Sequence, residues 1–172
     1  MATPGRLRSH LAGEARRLFL ERHPNALPHA SCLYWALAVI RACRECGIRA
    51  ILQAGTAMWP RLRPEQDDGL SPTHFSYVWE PEAPLTLERL ANNLLPEMHV
   101  WAAVPAEQEM VDLTTSFWPE QCQRLLGRDW PGDLPPSWLW ATCEELPERV
   151  VYQADLRAIV AVYQLLRNGT LS

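Results

Sequence analysis

The sequence lacks a long hydrophobic run, a secretory leader pattern and an excess of positive charge. Its longest apolar run is well short of a membrane span and is interrupted by Arg41. The amino-terminal stretch over 1–23 carries charges throughout and lacks the apolar segment of a signal peptide, so no signal peptide is predicted. Glu14 and Glu21 also argue against a basic transit peptide. With 16 basic and 20 acidic side chains, the net charge is −4 and no basic stripe extends beyond the amino-terminal helix. We expect no membrane and no nucleic-acid partner.

The chain also lacks internal repeats, low-complexity tracts and an even number of cysteines. Five cysteines favour a reducing compartment over a disulfide framework, and we expect a cytoplasmic protein. A length of 172 residues with 48% hydrophobic content predicts one folded domain over 1–172. Within it we expect an amino-terminal helix and link over 1–27, a core over 28–118, and a Trp- and Pro-rich helical extension over 119–172.

Hydrophobic periodicity predicts helices that come first along the chain and an antiparallel sheet that follows, an α+β arrangement. Helices are predicted over 6–22, 31–46, 85–95, 119–127, 137–146 and 155–167, the last with Asp155 as its cap. Strands are predicted over 48–59, 73–80, 98–104, 109–114 and 149–154. Gly47 is predicted to end the second helix.

Cys32 lies at the start of the second predicted helix, which is apolar nearly all round and is therefore expected to be buried. The thiolate is the reactive form of cysteine, and the free N–H groups and dipole of a helix start favour it. The backbone N–H of Cys32 would also point out of the helix toward a developing oxyanion. Alternatively, Cys32 is a small buried core residue. The choice depends on whether the chain supplies a base.

A base and its orienting group are predicted in a hairpin formed by the strands over 98–104 and 109–114. His99 opens the first strand and Asp112 lies in the second. If these two residues face each other, or lie one diagonal apart, their side chains share a face and are within reach. The carboxylate can then hold one imidazole nitrogen and leave the other for the thiol.

At this point two blocks of the sequence resemble transglutaminase-like cysteine enzymes. "SCLYWALAVIRACRECGIRA" (31–50) resembles their nucleophile helix, and "MHVWAAVPAEQEMVDLTT" (98–115) resembles their His–x–Trp strand, turn and Val-Asp strand. The order Cys, His, Asp agrees, and the resemblance covers roughly 28–118. The stretches 61–72 and 84–97 look like insertions, and nothing after Trp118 is matched.

The resemblance implies a papain-like α+β fold, with a buried central nucleophile helix packed on an antiparallel sheet and helices added at the carboxyl end. It implies Cys32 as nucleophile, His99 as general base and then acid, and Asp112 as the group that orients the imidazole. The implied function is acyl transfer at an amide or peptide bond through a thioester, as in a protease, deamidase or transglutaminase. It implies a peptide or protein substrate and no cofactor.

The alternative function is a binding module with the same fold but without turnover, which docks a protein or peptide on a Trp-rich groove. Four tryptophans of the Pro-rich region would line that groove, or would instead pin loops to the core. They are Trp118, Trp130, Trp138 and Trp140.

The residue that would stabilise the oxyanion through its side chain is left open by the sequence. Asn25, His29, Gln53 and Trp101 are candidates. His74, a second strand histidine, is a candidate lining residue of the groove or an alternative base, although no carboxylate follows it at hairpin distance.

Other cysteine chemistries fit the sequence less well. Cys43 and Cys46 form a CxxC, but Cys122 and Cys143 are not spaced as a second pair, so no metal site is predicted. A thioredoxin-type pair would begin a helix, whereas this pair ends one. Arylamine N-acetyltransferases share the Cys, His, Asp order, but their Arg-Gly-Gly before the cysteine is replaced here by Pro-His-Ala-Ser. NlpC-like amidases fit the His–x–Trp strand less well.

Overall fold

The structure is a computed structural model that describes residues 3–27 and 31–169. Within these residues the chain is α+β. Its helices are α1 (Gly5–Arg22), α2 (Cys32–Glu45), α3 (Pro84–Ala91), α4 (Trp118–Leu126) and α5 (Leu156–Arg167). Its strands are β1 (Ile51–Pro60), β2 (His74–Tyr77), β3 (His99–Val104), β4 (Glu109–Asp112), β5 (Leu139–Thr142) and β6 (Val151–Ala154). None of the described helices is long and apolar enough to cross a membrane.

The six strands form one antiparallel sheet in the order β2-β1-β3-β4-β5, with β6 also paired to β1. The long strand β1 changes partners along its length. Its first half, from Ile51 to Gly55, pairs with β3. Its second half pairs with β6 and β2. The sheet therefore curls around β1 and brings the end of β2, the start of β3 and β6 close to one another.

Gly55 lies where β1 changes partners, opposite both His99 and Ala154. A Cβ atom at this position would collide with the carbonyl oxygen of Gln153 and lie 3.1 Å from the backbone nitrogen of Asp155. Only glycine therefore allows β6 to approach β1 this closely.

Helix α2 is central, and nearly all its faces are covered. Trp35, Val39 and Cys43 belong to a core cluster formed with α1 and the inner face of β3 and β4. Leu33 and Ala36 belong to a second cluster formed with α5 and β1. An all-round apolar sequence is what such a position requires, and the prediction of a buried helix is confirmed.

The ends of the helices follow the predicted chemistry. Gly47 has a φ of 72° and donates its N–H to the carbonyl of Arg44, so it closes α2 as expected. The Asp155 carboxylate accepts hydrogen bonds from the N–H groups of Arg157 and Ala158, so it caps α5 as predicted.

The opposite face of the sheet carries a third, aromatic cluster that includes Trp59, Phe75, Trp101 and Trp118. Along β3, Val100, Ala102 and Val104 face the helices, whereas Trp101 lies in this aromatic cluster. The side chains of β3 therefore alternate between the two faces of the sheet.

One predicted element is wrong. The helix predicted over 137–146 is strand β5 followed by a short 3-10 turn over Cys143–Glu145. Leu139, Trp140 and Ala141 are buried consecutively because β5 pairs with β4 and is covered on both faces. A short continuous apolar run is compatible with either a helix or a doubly covered strand, and only the pairing decides between them.

Candidate active site

Cys32 is the first residue of α2, and its side chain is half-buried. The residue before it, Ser31, is buried and donates its hydroxyl to the carbonyl of Leu27 at 2.6 Å. The sulfur of Cys32 lies close enough to His99 to help raise the pKa of the imidazole, and both residues line the same cleft. The start of the central helix therefore places the thiol against the start of β3.

His99 and Asp112 are held together by the hairpin of β3 and β4. The register pairs Ala102 with Val111, so one step further along Asp112 stands opposite Trp101, and His99 lies one diagonal away. His99 Nε2 lies 2.7 Å from Asp112 Oδ2, and both side chains are buried. Since Nε2 is bonded to the carboxylate, Nδ1 is the nitrogen that remains for the sulfur.

Four donors converge on the Asp112 carboxylate. Oδ1 accepts from the backbone N–H and the hydroxyl of Thr114, at 2.8 and 2.6 Å. Oδ2 accepts from His99 and from the hydroxyl of Tyr152, the latter at 2.6 Å. Because all four partners donate, the carboxylate is stabilised in its ionised form despite its burial.

The charges of His99 and Asp112 depend on each other. Burial lowers the pKa of His99, but the charge of Asp112, the hydrogen bond to Asp112 and the nearby sulfur of Cys32 outweigh it and raise that pKa to about 10. Burial likewise raises the pKa of Asp112, but His99, Thr114 and Tyr152 together bring it below its usual value. Burial and the Asp112 charge raise the pKa of Tyr152, so its phenol stays protonated. At neutral pH the pair is an imidazolium and a carboxylate.

Aromatic rings surround the imidazole of His99. Tyr77 and Trp101 stack on it with centroids 5.5 and 6.1 Å away. Trp118 meets it edge-on at 5.1 Å, and Tyr152 is tilted against it at 6.0 Å. These rings fix the plane of the imidazole, and their π-faces suit a protonated ring.

Cys32 and His99 both line an open cleft of about 680 Å³. Its walls come from β2, from α3 and the segment that follows it, and from α4. The apolar part of the lining is Phe75, Tyr77, Leu85, Leu95, Met98, Phe117, Trp118, Leu125 and Leu126. The charged side chains are Arg89, Glu97 and Arg124. The stretch over 84–97, which looks like an insertion in the sequence, thus forms one wall of the cleft.

The candidates for the oxyanion or groove fall in different places. Trp101 stacks on His99 within the core, and its side chain is buried. Asn25 is exposed in the turn after α1, and Gln53 lies on β1, where it pairs with Trp101 of β3. Neither residue lines the cleft. His29 lies outside the described residues.

His74 lines the cleft, as expected for a groove residue, but its ring nitrogens have structural partners. Nε2 lies 3.1 Å from the carbonyl of Arg149, and Nδ1 lies 2.9 Å from the hydroxyl of Thr73. A carbonyl only accepts, so Nε2 carries the proton and Nδ1 accepts from the threonine. Burial lowers the pKa of His74, which favours this neutral ring. His74 therefore ties β2 to the segment before β6.

The Trp-rich groove expected for a binding module is not formed by the four tryptophans together. Trp118 and Trp130 belong to the aromatic cluster, whereas Trp138 and Trp140 belong to the cluster around α1 and α2. Only Trp118 lines the cleft at Cys32, and Trp138 lines a separate groove beside α1.

Three residues of the site were not found by sequence reasoning. Thr114 has a local signal, since an Asp followed two residues later by Thr forms an Asx turn. Tyr77 and Tyr152 have none, because they reach His99 and Asp112 from strands distant in sequence.

Metal ligation is not supported by the described side chains. Cys43 is buried in the core and Cys46 is exposed, so the two cysteines of the CxxC lie in different environments. No group of three or more His, Cys, Asp or Glu side chains in residues 3–27 and 31–169 could hold a metal ion.

Comparison of the chain with protein-family models, with curated proteins and with solved structures finds no match. The site itself combines a thiol at a helix start, an imidazolium bonded to a carboxylate, and an open cleft beside both.

Proposed function

We propose that this chain is a transglutaminase-like, papain-like cysteine enzyme that transfers acyl groups from amide or peptide bonds. Cys32 is its nucleophile, His99 its general acid and base, and Asp112 the residue that orients the imidazole. One observation carries the proposal: the imidazole of His99, hydrogen-bonded to Asp112, lines the same open cleft as Cys32 and lies near its sulfur. The five free cysteines support a cytoplasmic location, where thiols stay reduced.

In the first half of the reaction, the Cys32 sulfur attacks the carbonyl carbon as a thiolate paired with the His99 imidazolium. The carbonyl oxygen becomes an oxyanion, and the backbone N–H of Cys32 is a donor suited to it because a first helical residue has no acceptor within its helix. His99 then gives its Nδ1 proton to the leaving amine. The C–N bond breaks and a thioester remains on Cys32.

In the second half, neutral His99 takes a proton from water or an amine, which attacks the thioester carbonyl. The C–S bond breaks, the sulfur leaves as thiolate, and His99 is again the imidazolium. Throughout, Asp112 holds Nε2–H, so the same nitrogen of His99 faces the sulfur in both halves. Water as acceptor gives hydrolysis, and an amine gives transamidation.

The cleft lining indicates the chemical character of the acyl group. The surface of the cleft is mainly apolar, and aromatic rings and leucine side chains make up most of that apolar lining. Such a surface favours an apolar acyl group, for example an aromatic or branched aliphatic residue of a peptide. An activated ester of an apolar acid is therefore a suitable probe.

The first test compares the five cysteines within one molecule. Limited reaction with iodoacetamide at neutral pH, followed by mass spectrometry, should label Cys32 faster than the exposed Cys46 and Cys143, because an imidazolium lies beside its sulfur. Cys43 and Cys122 should label slowest, since burial raises the pKa of both thiols. Substitution Cys46→Ala is the matched control.

The same samples then react with the apolar ester. The chain contains no lysine, so side-chain amines cannot compete for the acyl group. We expect one acyl adduct on Cys32 in the wild type and none in Cys32→Ala, with released product when water or an added alkylamine is present. Equal labelling of Cys32, Cys46 and Cys143, together with no adduct, would refute the enzyme and leave the binding module.

A further inference from the structure

Tyr152 contacts the site through a hydrogen bond to Asp112 that the sequence does not predict and that lies outside the proposed triad. Its hydroxyl lies 2.6 Å from Asp112 Oδ2, the same oxygen to which His99 Nε2 is bonded. Trp59 Nε1 lies 3.1 Å from the same hydroxyl. The ring of Tyr152 also meets Trp101 edge-on at 5.2 Å.

The chemistry of the groups fixes the direction of both hydrogen bonds of the Tyr152 hydroxyl, to Trp59 and to Asp112. An indole N–H can only donate, and a carboxylate can only accept. The Tyr152 hydroxyl therefore accepts from Trp59 and donates to Asp112. Since the phenol stays protonated in this environment, that direction holds across the neutral range. The hydroxyl proton consequently has one position, and it points at Asp112 Oδ2.

Burial alone does not explain this arrangement. Strand β6 lies on the outside of the sheet, and its residues other than Tyr152 are exposed. It is brought against β1 at Gly55, the one position there without a Cβ atom. The close approach of β6 to β1 at Gly55 therefore places the hydroxyl of Tyr152 against the Asp112 carboxylate, which holds the imidazole of His99.

We propose that Tyr152 is a positioning residue that acts through Asp112. Its hydroxyl holds Oδ2 in line with His99 Nε2, while Thr114 holds Oδ1. The carboxylate is thereby prevented from rotating, and the imidazole keeps Nδ1 toward the Cys32 sulfur. Tyr152 is not among the residues that line the cleft, so it orients the base without touching the substrate. The inference rests on the proposed function and names a further part of that site.

Tyr152→Phe tests this, because it keeps the ring and its aromatic contacts and removes only the hydroxyl. We expect the alkylation rate of Cys32 and the kcat for the apolar ester to fall about 10- to 100-fold, the usual effect of removing a group that orients a reactive side chain. KM should not change, since the cleft lining is intact. The expected change in the folded state is a shift of the His99 Nε2–H proton resonance in protein labelled with ¹⁵N-histidine.

Two variants make the result specific. Trp59→Phe leaves the Tyr152–Asp112 bond in place but removes the donor that fixes the hydroxyl, so it should move the same resonance in the same direction by less. Tyr163→Phe changes an exposed tyrosine on α5 and serves as the control. Melting temperatures show whether any fall in rate follows loss of folded protein.

The outcomes separate the two proposals. An unchanged His99 resonance in Tyr152→Phe, or a rate that falls only with the folded fraction, would overturn the positioning role. A rise in KM at constant kcat would overturn it as well, because that result places Tyr152 in substrate binding. If the wild type forms no adduct but the resonance shifts as expected, the proposed enzyme fails and Tyr152 still positions His99.

Discussion

Strand β4 carries a buried carboxylate at each end, and the two differ in what surrounds them. Glu109 accepts hydrogen bonds from the backbone N–H and hydroxyl of Thr3, from Arg8 and from Trp140. Asp112 also accepts four, from His99, Tyr152 and both donors of Thr114. Three residues apart on a strand, their side chains point to opposite faces.

The two carboxylates are alike in burial, in number of donors and in the direction of their pKa shift. Burial raises the pKa of both, but hydrogen bonds outweigh it at Glu109, and the charge of His99 together with hydrogen bonds outweighs it at Asp112. They differ in partner and in access. Glu109 is paired with a guanidinium that stays charged and with the amino-terminal segment. Asp112 is paired with an imidazole that can release a proton, next to a sulfur and a cleft. A buried, satisfied charge marks a site only when its partner can change state.

The largest effects should come from removing each charge in turn. Asp112→Asn and Glu109→Gln each leave four donors facing a group with one acceptor oxygen. Each should lower the free energy of unfolding by about 3 kcal/mol or more. Only Asp112→Asn should also reduce the acylation rate of Cys32, by about 10³- to 10⁴-fold, because it disturbs the imidazole tautomer. Urea denaturation and the ester assay measure the two effects.

Glu109→Gln is the matched control for that loss of rate, since it lies on the other face of the same strand. Equal loss of acylation in both variants would mean that Asp112 acts only through the stability of β4, and the distinction between the two carboxylates would fail.

The two ends of β4 should also differ in how they affect the free energy of unfolding at alkaline pH. The His99 pKa is raised from 6.5 to about 10 in the folded protein, so its stabilising effect is complete below about pH 6.5 and is lost as the pH rises through about 10. The wild-type free energy of unfolding should therefore decline over this range. His99→Gln should decline less, and Arg8→Met should decline as the wild type does. A His99→Gln curve as steep as that of the wild type would contradict the assignment.

The smallest effect is expected at the other end of β4. Arg8→Met removes one of the four donors to Glu109 and should cost about 2 kcal/mol in the free energy of unfolding. Because Arg8 helps to lower the pKa of Glu109, the variant has less of the stability that depends on ionised Glu109, so its free energy of unfolding should fall less than that of the wild type on acidification below about pH 4.5. Arg6→Met, an exposed neighbour on α1, is the control. A measurable change in the Cys32 alkylation rate would show that the two ends of β4 are coupled.

Much of this architecture was predictable because the relevant signals are local. The apolar run after Cys32, the glycine that ends it and the short link between β3 and β4 each determine an element from neighbouring residues. The diagonal relation of His99 and Asp112 follows from the length of that link. The roles of Cys32, His99 and Asp112 in catalysis stay predictions.

The rest depended on contacts that neighbouring residues do not encode. Strand β5 looks helical until its pairing with β4 is known. Glu109 begins a strand in the sequence, but no neighbouring residue indicates that Thr3 and Arg8 meet it from more than a hundred positions away. Tyr152 reaches Asp112 across 40 positions. In each case the decisive partner belongs to another part of the sheet or to α1.

The pairing of β6 with β1 also has a consequence for the order of assembly during folding. Cys32, His99 and Asp112 come together once α2 and the β3–β4 hairpin have packed, but β6 must close a loop of nearly a hundred residues to reach β1. With its side chains mostly in solvent, β6 has little buried surface to retain it. Its attachment depends on its pairing with β1 and on α5, which follows it and packs in the core. Attachment of the carboxyl-terminal part of the chain therefore completes the hydrogen bonding of Asp112 last.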